Sequence, residues 1–125
     1  MRLIDDFFSI NSFTEEGNDI VCKITLNKEH FIYKAHFPEN PITPGVCIMQ
    51  IVQEILEKKV NSRLSLKTLH NIKYLSIISP IENKELIIIL NYSINEDLSI
   101  KVKGIIKSEE SVFTKYSATY INNER

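Results

Sequence analysis

The chain has 125 residues, 43% of them apolar, with 15 basic and 16 acidic side chains and a net charge of −1. That is enough for one hydrophobic core and too little for two, so a single domain spanning 1–125 is expected. The charges are well mixed along the sequence, which argues against a nucleic-acid footprint or a basic membrane face. The segment MRLIDDFFSI sets two aspartates where a signal peptide needs an apolar stretch, and the longest aliphatic run is Leu86 to Leu90. A soluble, cytoplasmic protein is therefore expected.

Phe8 to Phe13 and Ile20 to Leu26 have strand composition, and the insert Glu15-Glu16-Gly17-Asn18-Asp19 between them supplies a glycine free to take positive φ, so the pair predicts a hairpin. Next comes a proline-stiffened loop, His36-Phe37-Pro38-Glu39-Asn40-Pro41-Ile42-Thr43, which runs directly into a helix. Each proline fixes φ near roughly −65°, so the loop loses little further entropy on ordering. Thr43 is the expected N-cap, Pro44 the first helical residue, and Gly45 and Val46 then offer free backbone N–H groups. The helix should end near Val60. Its first half, Val46 to Val52, is apolar on every side except Gln50 and is expected to be buried all round. Gln53, Glu54, Glu57, Lys58 and Lys59 are expected to solvate the second half.

Four further strands are expected at Leu69 to Ile78, Glu85 to Ile94, Leu98 to Lys107 and Val112 to Ile121, with turns at Asn95-Glu96-Asp97 and Ser108-Glu109-Glu110. Leu98, Ile100 and Val102 alternate with Ser99, Lys101 and Lys103, the signature of a half-buried strand. One apolar helix and about six antiparallel strands can bury that helix only if the sheet curls around it, an α+β wrap. The two-sided apolar run Leu86 to Leu90 would suit a buried interface. Cys22 and Cys47 lack paired-ligand spacing, and His30, His36 and His70 form no H-x-x-x-H pattern, so free thiols and no metal are expected. Cys47, on the first helical turn, has no histidine spacing that would activate it as a nucleophile.

The run AHFPENPITPGVCIMQIVQE resembles the signature of the 3-hydroxyacyl-acyl-carrier-protein dehydratases of the FabA/FabZ type, roughly G-H-F-P-G-x-P-x-x-P-G-V-L-I-x-E-A-x-A-Q. His36, Phe37, Pro38, Pro41, Pro44, Gly45, Val46 and Ile48 stand at the family's positions without a gap. The lead-in KEHFIYKAHF and the segment Ile72 to Leu86 extend the likeness thinly over most of the chain. Four departures accompany it. Ala35 and Glu39 replace glycines flanking H-F-P, Asn83-Lys84 replace a later Pro-Gly, and Gln50 stands where the family has its catalytic Glu or Asp.

The resemblance implies a hot-dog fold, two protomers pairing edge to edge to form the site, and dehydration of 3-hydroxyacyl thioesters without a dissociable cofactor. It makes His36 the base that removes the C2 proton, a role suited to an imidazole with an unperturbed pKa of about 6.5. The Gly45 and Val46 amides at the helix N-terminus would polarise the thioester carbonyl, and Phe37 would line the substrate site. Gln50, in the acid position, can orient a hydroxyl or water but cannot deliver a proton as a carboxylic acid does. Glu54, on the same helix face about 6 Å along the axis, reads as a surface carboxylate, and Glu39 as a solvent-facing turn residue.

Three readings stay open. The first is a dehydratase of fatty-acid or related lipid or polyketide synthesis acting on acyl carrier protein, as a homodimer, a hot-dog heterodimer or a higher oligomer. The second is a non-catalytic acyl-binding partner subunit that lends His36 to a carboxylate on another chain. The third, an acyl thioesterase, also lacks its acid. Lys58, Lys59, Arg63 and Lys67 could dock an acidic carrier or simply solvate the helix end.

Overall fold

The computed structural model describes residues 2–35 and 39–123. Six strands form one antiparallel sheet: β1 (Phe8–Glu16), β2 (Asp19–Leu26), β3 (Leu64–Tyr74), β4 (Glu85–Ile94), β5 (Ile100–Lys107) and β6 (Val112–Asn122), in the spatial order β1-β2-β4-β5-β6-β3. Two helices interrupt them, the single turn α1 (Phe31–Ala35) and the long α2 (Gly45–Val60). The alternation of apolar and polar residues decides which side faces inward. Ile20, Cys22 and Ile24 of β2, Leu86, Ile88 and Leu90 of β4, Val102 and Ile106 of β5, and Tyr116, Ala118 and Tyr120 of β6 are all buried, as are Ile51, Val52, Ile55 and Leu56 of α2. Each fully buried aliphatic side chain contributes roughly 1.5 to 3 kcal/mol. This curled sheet around one helix is the hot-dog arrangement.

Several elements match their sequence expectation closely. β4 and the end of α2 fall where predicted, and Gly17 takes φ 60° in the hairpin turn. Asn61 ends α2 in the left-handed region, φ 54°, with its N–H on the Glu57 carbonyl, a common helix stop. Other expectations need correction. β3 begins at Leu64 rather than Leu69 and stops at Tyr74, because Leu75 and Ser76 turn their N–H groups onto the Phe113 carbonyl and leave the ladder. Two register shifts, between Leu66 and Thr68 and between Leu69 and Asn71, break the two-residue period that would have marked its start. β5 starts at Ile100, since Leu98 sits at φ 70° in the preceding turn and is exposed while Ser99 is buried.

Helix α1 has no counterpart in the expectation, being too short to show a period. The run Leu86 to Leu90 lies on β4, between β2 and β5, so it is no edge; the two edges are β1 and β3. Edge strand β3 stays open, with Leu66, Leu69 and Tyr74 all at least 40% exposed.

The charges are sorted rather than mixed. β3, β5 and β6 carry Lys67, Lys73, Lys101, Lys103, Lys107 and Lys115 and not one Asp or Glu. Lys73 lies directly opposite Lys115 in the ladder. No helix among the described residues is long and apolar enough to cross a membrane.

Candidate active site

Both stems of the proline loop are tied down. On the upstream side, His30 is buried with its ring against Phe7 and Phe31, and its Nδ1 accepts the Ile32 N–H at 3.1 Å, which starts α1. Tyr33 stacks on Phe7 and its hydroxyl meets that of Thr43 at 2.8 Å. Burial pushes the Tyr33 phenol well above its ordinary range. On the downstream side Thr43 donates its N–H to the Ile78 carbonyl at 2.9 Å. Thr43 is therefore not the N-cap. Pro44 is, at φ −61° and ψ 145°, and no side chain caps the helix. His36, Phe37 and Pro38, which the motif makes the heart of the site, lie outside the described residues.

The helix start presents what the sequence promised in its backbone but not in its burial. The Pro44 carbonyl accepts from Cys47 and Ile48, while the Gly45 and Val46 amides meet no acceptor among the described residues, as in the first turn of any helix. They carry the positive end of the helix dipole, about half an elementary charge. The Val46 side chain, expected in the core, is 68% exposed. Gly45 has a packing role that the sequence did not reveal: a Cβ there would lie 2.5 Å from the Tyr74 hydroxyl oxygen and 2.8 Å from Cζ of the same ring. The missing side chain makes room for an aromatic ring at the end of β3.

Gln50 is half-buried, and its Nε2 donates to Oε2 of Glu54 at 2.7 Å. Glu54, expected at the surface, is 1% exposed. Its two oxygens also accept the backbone N–H groups of Leu3 and Ile4, each at 2.7 Å. Glu57 departs from expectation in the same way, buried with Oε2 on the Leu64 N–H at 2.8 Å and Oε1 near Arg2 at 3.4 Å. Burial of these carboxylates is tolerable because hydrogen-bond donors replace the lost water. Glu39 is exposed, as expected of a turn residue.

The three lysines named for docking are engaged locally. Lys58 lies over the Phe13 ring, Lys59 pairs with Glu15 at 3.0 Å and Lys67 with Asp97 at 3.5 Å. Cys22 and Cys47 are buried free thiols, and burial raises both, Cys22 to about 11. Neither is a poised nucleophile. His70 reaches the Thr119 hydroxyl at 2.7 Å on the far strands.

A sheet curled around one helix defines a hot-dog protein. The chain belongs to the ApeI-like family, the ApeI dehydratases, whose sequence profile matches residues 12–114. No curated protein sequence matches it. Among solved structures it resembles the dehydratase heterocomplex ApeI:P from Xenorhabdus doucetiae, with a TM-score of 0.72 and 12% identity over 90% of this chain and 96% of that one. An uncharacterised protein from Erwinia carotovora gives 0.65 and 16% over 91% and 93%. A member of the thioesterase superfamily gives 0.61 and 15% over 90% and 82%. At these identities the likeness is one of fold.

Proposed function

We propose that the chain is a hot-dog dehydratase subunit acting on 3-hydroxyacyl groups held as thioesters, most simply on acyl carrier protein, in a site shared with a second hot-dog chain. The observation that carries this reading is the open flank of the helix start. Val46 is exposed near the end of edge strand β3, and the Gly45 and Val46 amides meet no acceptor among the described residues. An apolar flank next to free donors is half of a pocket that excludes water only when another chain covers it.

In this reading His36 takes the C2 proton, the helix-terminal amides hold the developing negative charge on the thioester oxygen, the C2–C3 double bond forms, and the C3–O bond breaks. The leaving hydroxyl needs a proton, which an amide at position 50 does not supply. A carboxylic acid on the second chain, or a bound water at a lower rate, does. The same argument favours a subunit that works within a heterodimer over one that works alone, and the heterocomplex named for the Xenorhabdus relative is in keeping with it. A thioesterase would need a carboxylate to activate water, and Glu54, the carboxylate next to Gln50, is buried against three donors.

The test is turnover of a 3-hydroxybutyryl or crotonyl thioester by the chain alone and mixed with a hot-dog chain that carries the Glu or Asp. Activity should appear or rise on mixing, and His36→Ala should remove it without lowering the melting temperature. Retained activity in that variant would end the role of His36. A stable monomer that neither pairs nor turns over any thioester would end the reading as a whole.

A further inference from the structure

The family signature places its acid first and a glutamine four residues later, E-A-x-A-Q. This chain has the two residue types in the opposite order, Gln50 and then Glu54. Residues four apart lie one above the other on a helix, and here they touch, with Gln50 Nε2 on Glu54 Oε2 at 2.7 Å. Resting on the proposed function, we infer that Glu54 is the positioning residue of Gln50, the two forming an acid–amide pair transposed by one helical turn.

Three observations carry this. Glu54 is 1% exposed, so its carboxylate is no solvent-facing residue that happens to lie near an amide. It is held from a second direction by the N–H groups of Leu3 and Ile4, which fixes both oxygens and leaves the side chain little freedom to follow Gln50 if that residue moved. Every one of its hydrogen-bonding partners among the described residues is a donor, so the end of Gln50 that faces it has to be the amide nitrogen. Glu54 thereby sets which way the Gln50 amide points. The side chain in the acid position is accordingly held as a hydrogen-bonding group by a buried carboxylate one helical turn further on.

The pairing makes the two positions interdependent. Gln50→Glu alone would set two carboxyl groups against each other at hydrogen-bond distance, and one would keep a proton or move away. Glu54→Gln alone would leave two amides, one of which must turn an N–H toward Leu3 or Ile4. The double exchange, Gln50→Glu with Glu54→Gln, keeps one carboxylate and one amide in contact and returns the acid to the position that the signature gives it, while the new carbonyl accepts from Ile4 and the Leu3 N–H loses its acceptor.

Two readouts test the pair. The first needs no activity. The chain has two glutamines, and Gln53, bonded to the Leu64 carbonyl at 3.0 Å, is an internal reference. In a ¹⁵N-labelled sample, Glu54→Gln should shift and broaden the Gln50 side-chain amide signals and leave those of Gln53 in place. Unmoved Gln50 signals would overturn the pairing. The second is thioester turnover in a double-substitution cycle. The exchanged pair should exceed wild type by about 10²-fold or more and exceed Gln50→Glu by about tenfold, with KM changed little, while Glu54→Gln falls below wild type. Equal rates for the exchanged pair and Gln50→Glu would overturn the positioning role. Should Glu54→Gln fail to fold, the exchanged pair against Gln50→Glu still decides. If no variant turns over a thioester, alone or mixed with an acid-bearing chain, the functional reading falls, and the amide signals still decide whether Glu54 positions Gln50.

Discussion

The two halves of α2 each hold residues whose burial runs against their composition. Gly45 to Val52 is almost wholly apolar, yet Val46 stands in solvent and Met49 and Gln50 are half-covered, whereas Glu54 and Glu57 in the charged half are buried together with Ile55 and Leu56. Burial in this helix follows available partners rather than hydropathy. The charged half meets the N-terminal segment and the start of β3, which supply backbone donors. The apolar half buries Cys47, Ile48, Ile51 and Val52 and leaves Val46 uncovered.

That contrast breaks first under substitution. Glu54→Ala should cost roughly 2 to 4 kcal/mol, because it removes the acceptor of the buried Leu3 N–H and the part-buried Ile4 N–H. Val46→Ser should stay within about 0.5 kcal/mol in the isolated chain. Urea denaturation of both variants is the measurement, and comparable losses would mean that Val46 is covered after all.

Alkali sharpens the comparison from beneath the helix. Cys22, Cys47, Tyr33, Tyr116 and Tyr120 are all raised, with burial the leading cause in each. A folded state that holds its protons more tightly than the unfolded chain loses stability as pH rises. For Cys22 the contribution is complete below 9.0 and gone above about 11, roughly 2 to 3 kcal/mol at most. Stability should therefore be level from pH 7 to about 9 and fall beyond it, and native protein at pH 8 should resist thiol reagents at both cysteines. Rapid labelling of Cys47 alone would show that the apolar half opens.

A smaller effect is expected at the helix start. Gly45→Ala pushes a methyl group against Tyr74, but that ring is half-exposed and can swing away, so the cost should be about 1 kcal/mol, the lower end for overpacking. A larger loss would mean that Tyr74 is clamped in place.

The sequence made β4 and the end of α2 legible because the one carries its own period and the other its own stop residue, Asn61, whereas the bulged β3 has neither. It did not reveal the burial of Glu54 and Glu57. The two backbone donors of Glu54 lie about fifty residues away in the chain, and local hydropathy cannot anticipate them. One local clue was present, the reversed order of acid and amide four residues apart. The Tyr74 ring over Gly45 and the hydroxyl contact between Tyr33 and Thr43 likewise join segments that only the fold brings together. The chemistry assigned to His36 and Phe37 rests on the motif.

The lysine-only strands give the molecule an electrical axis that its total charge conceals. A net of −1 divides into six positive charges on β3, β5 and β6 and a net of −7 elsewhere. Such a body feels a torque in any external field before it makes contact. Its β5-β6-β3 side should turn toward anionic surfaces at low salt and lose that orientation once screening, over about 8 Å at physiological ionic strength, closes in around each charge.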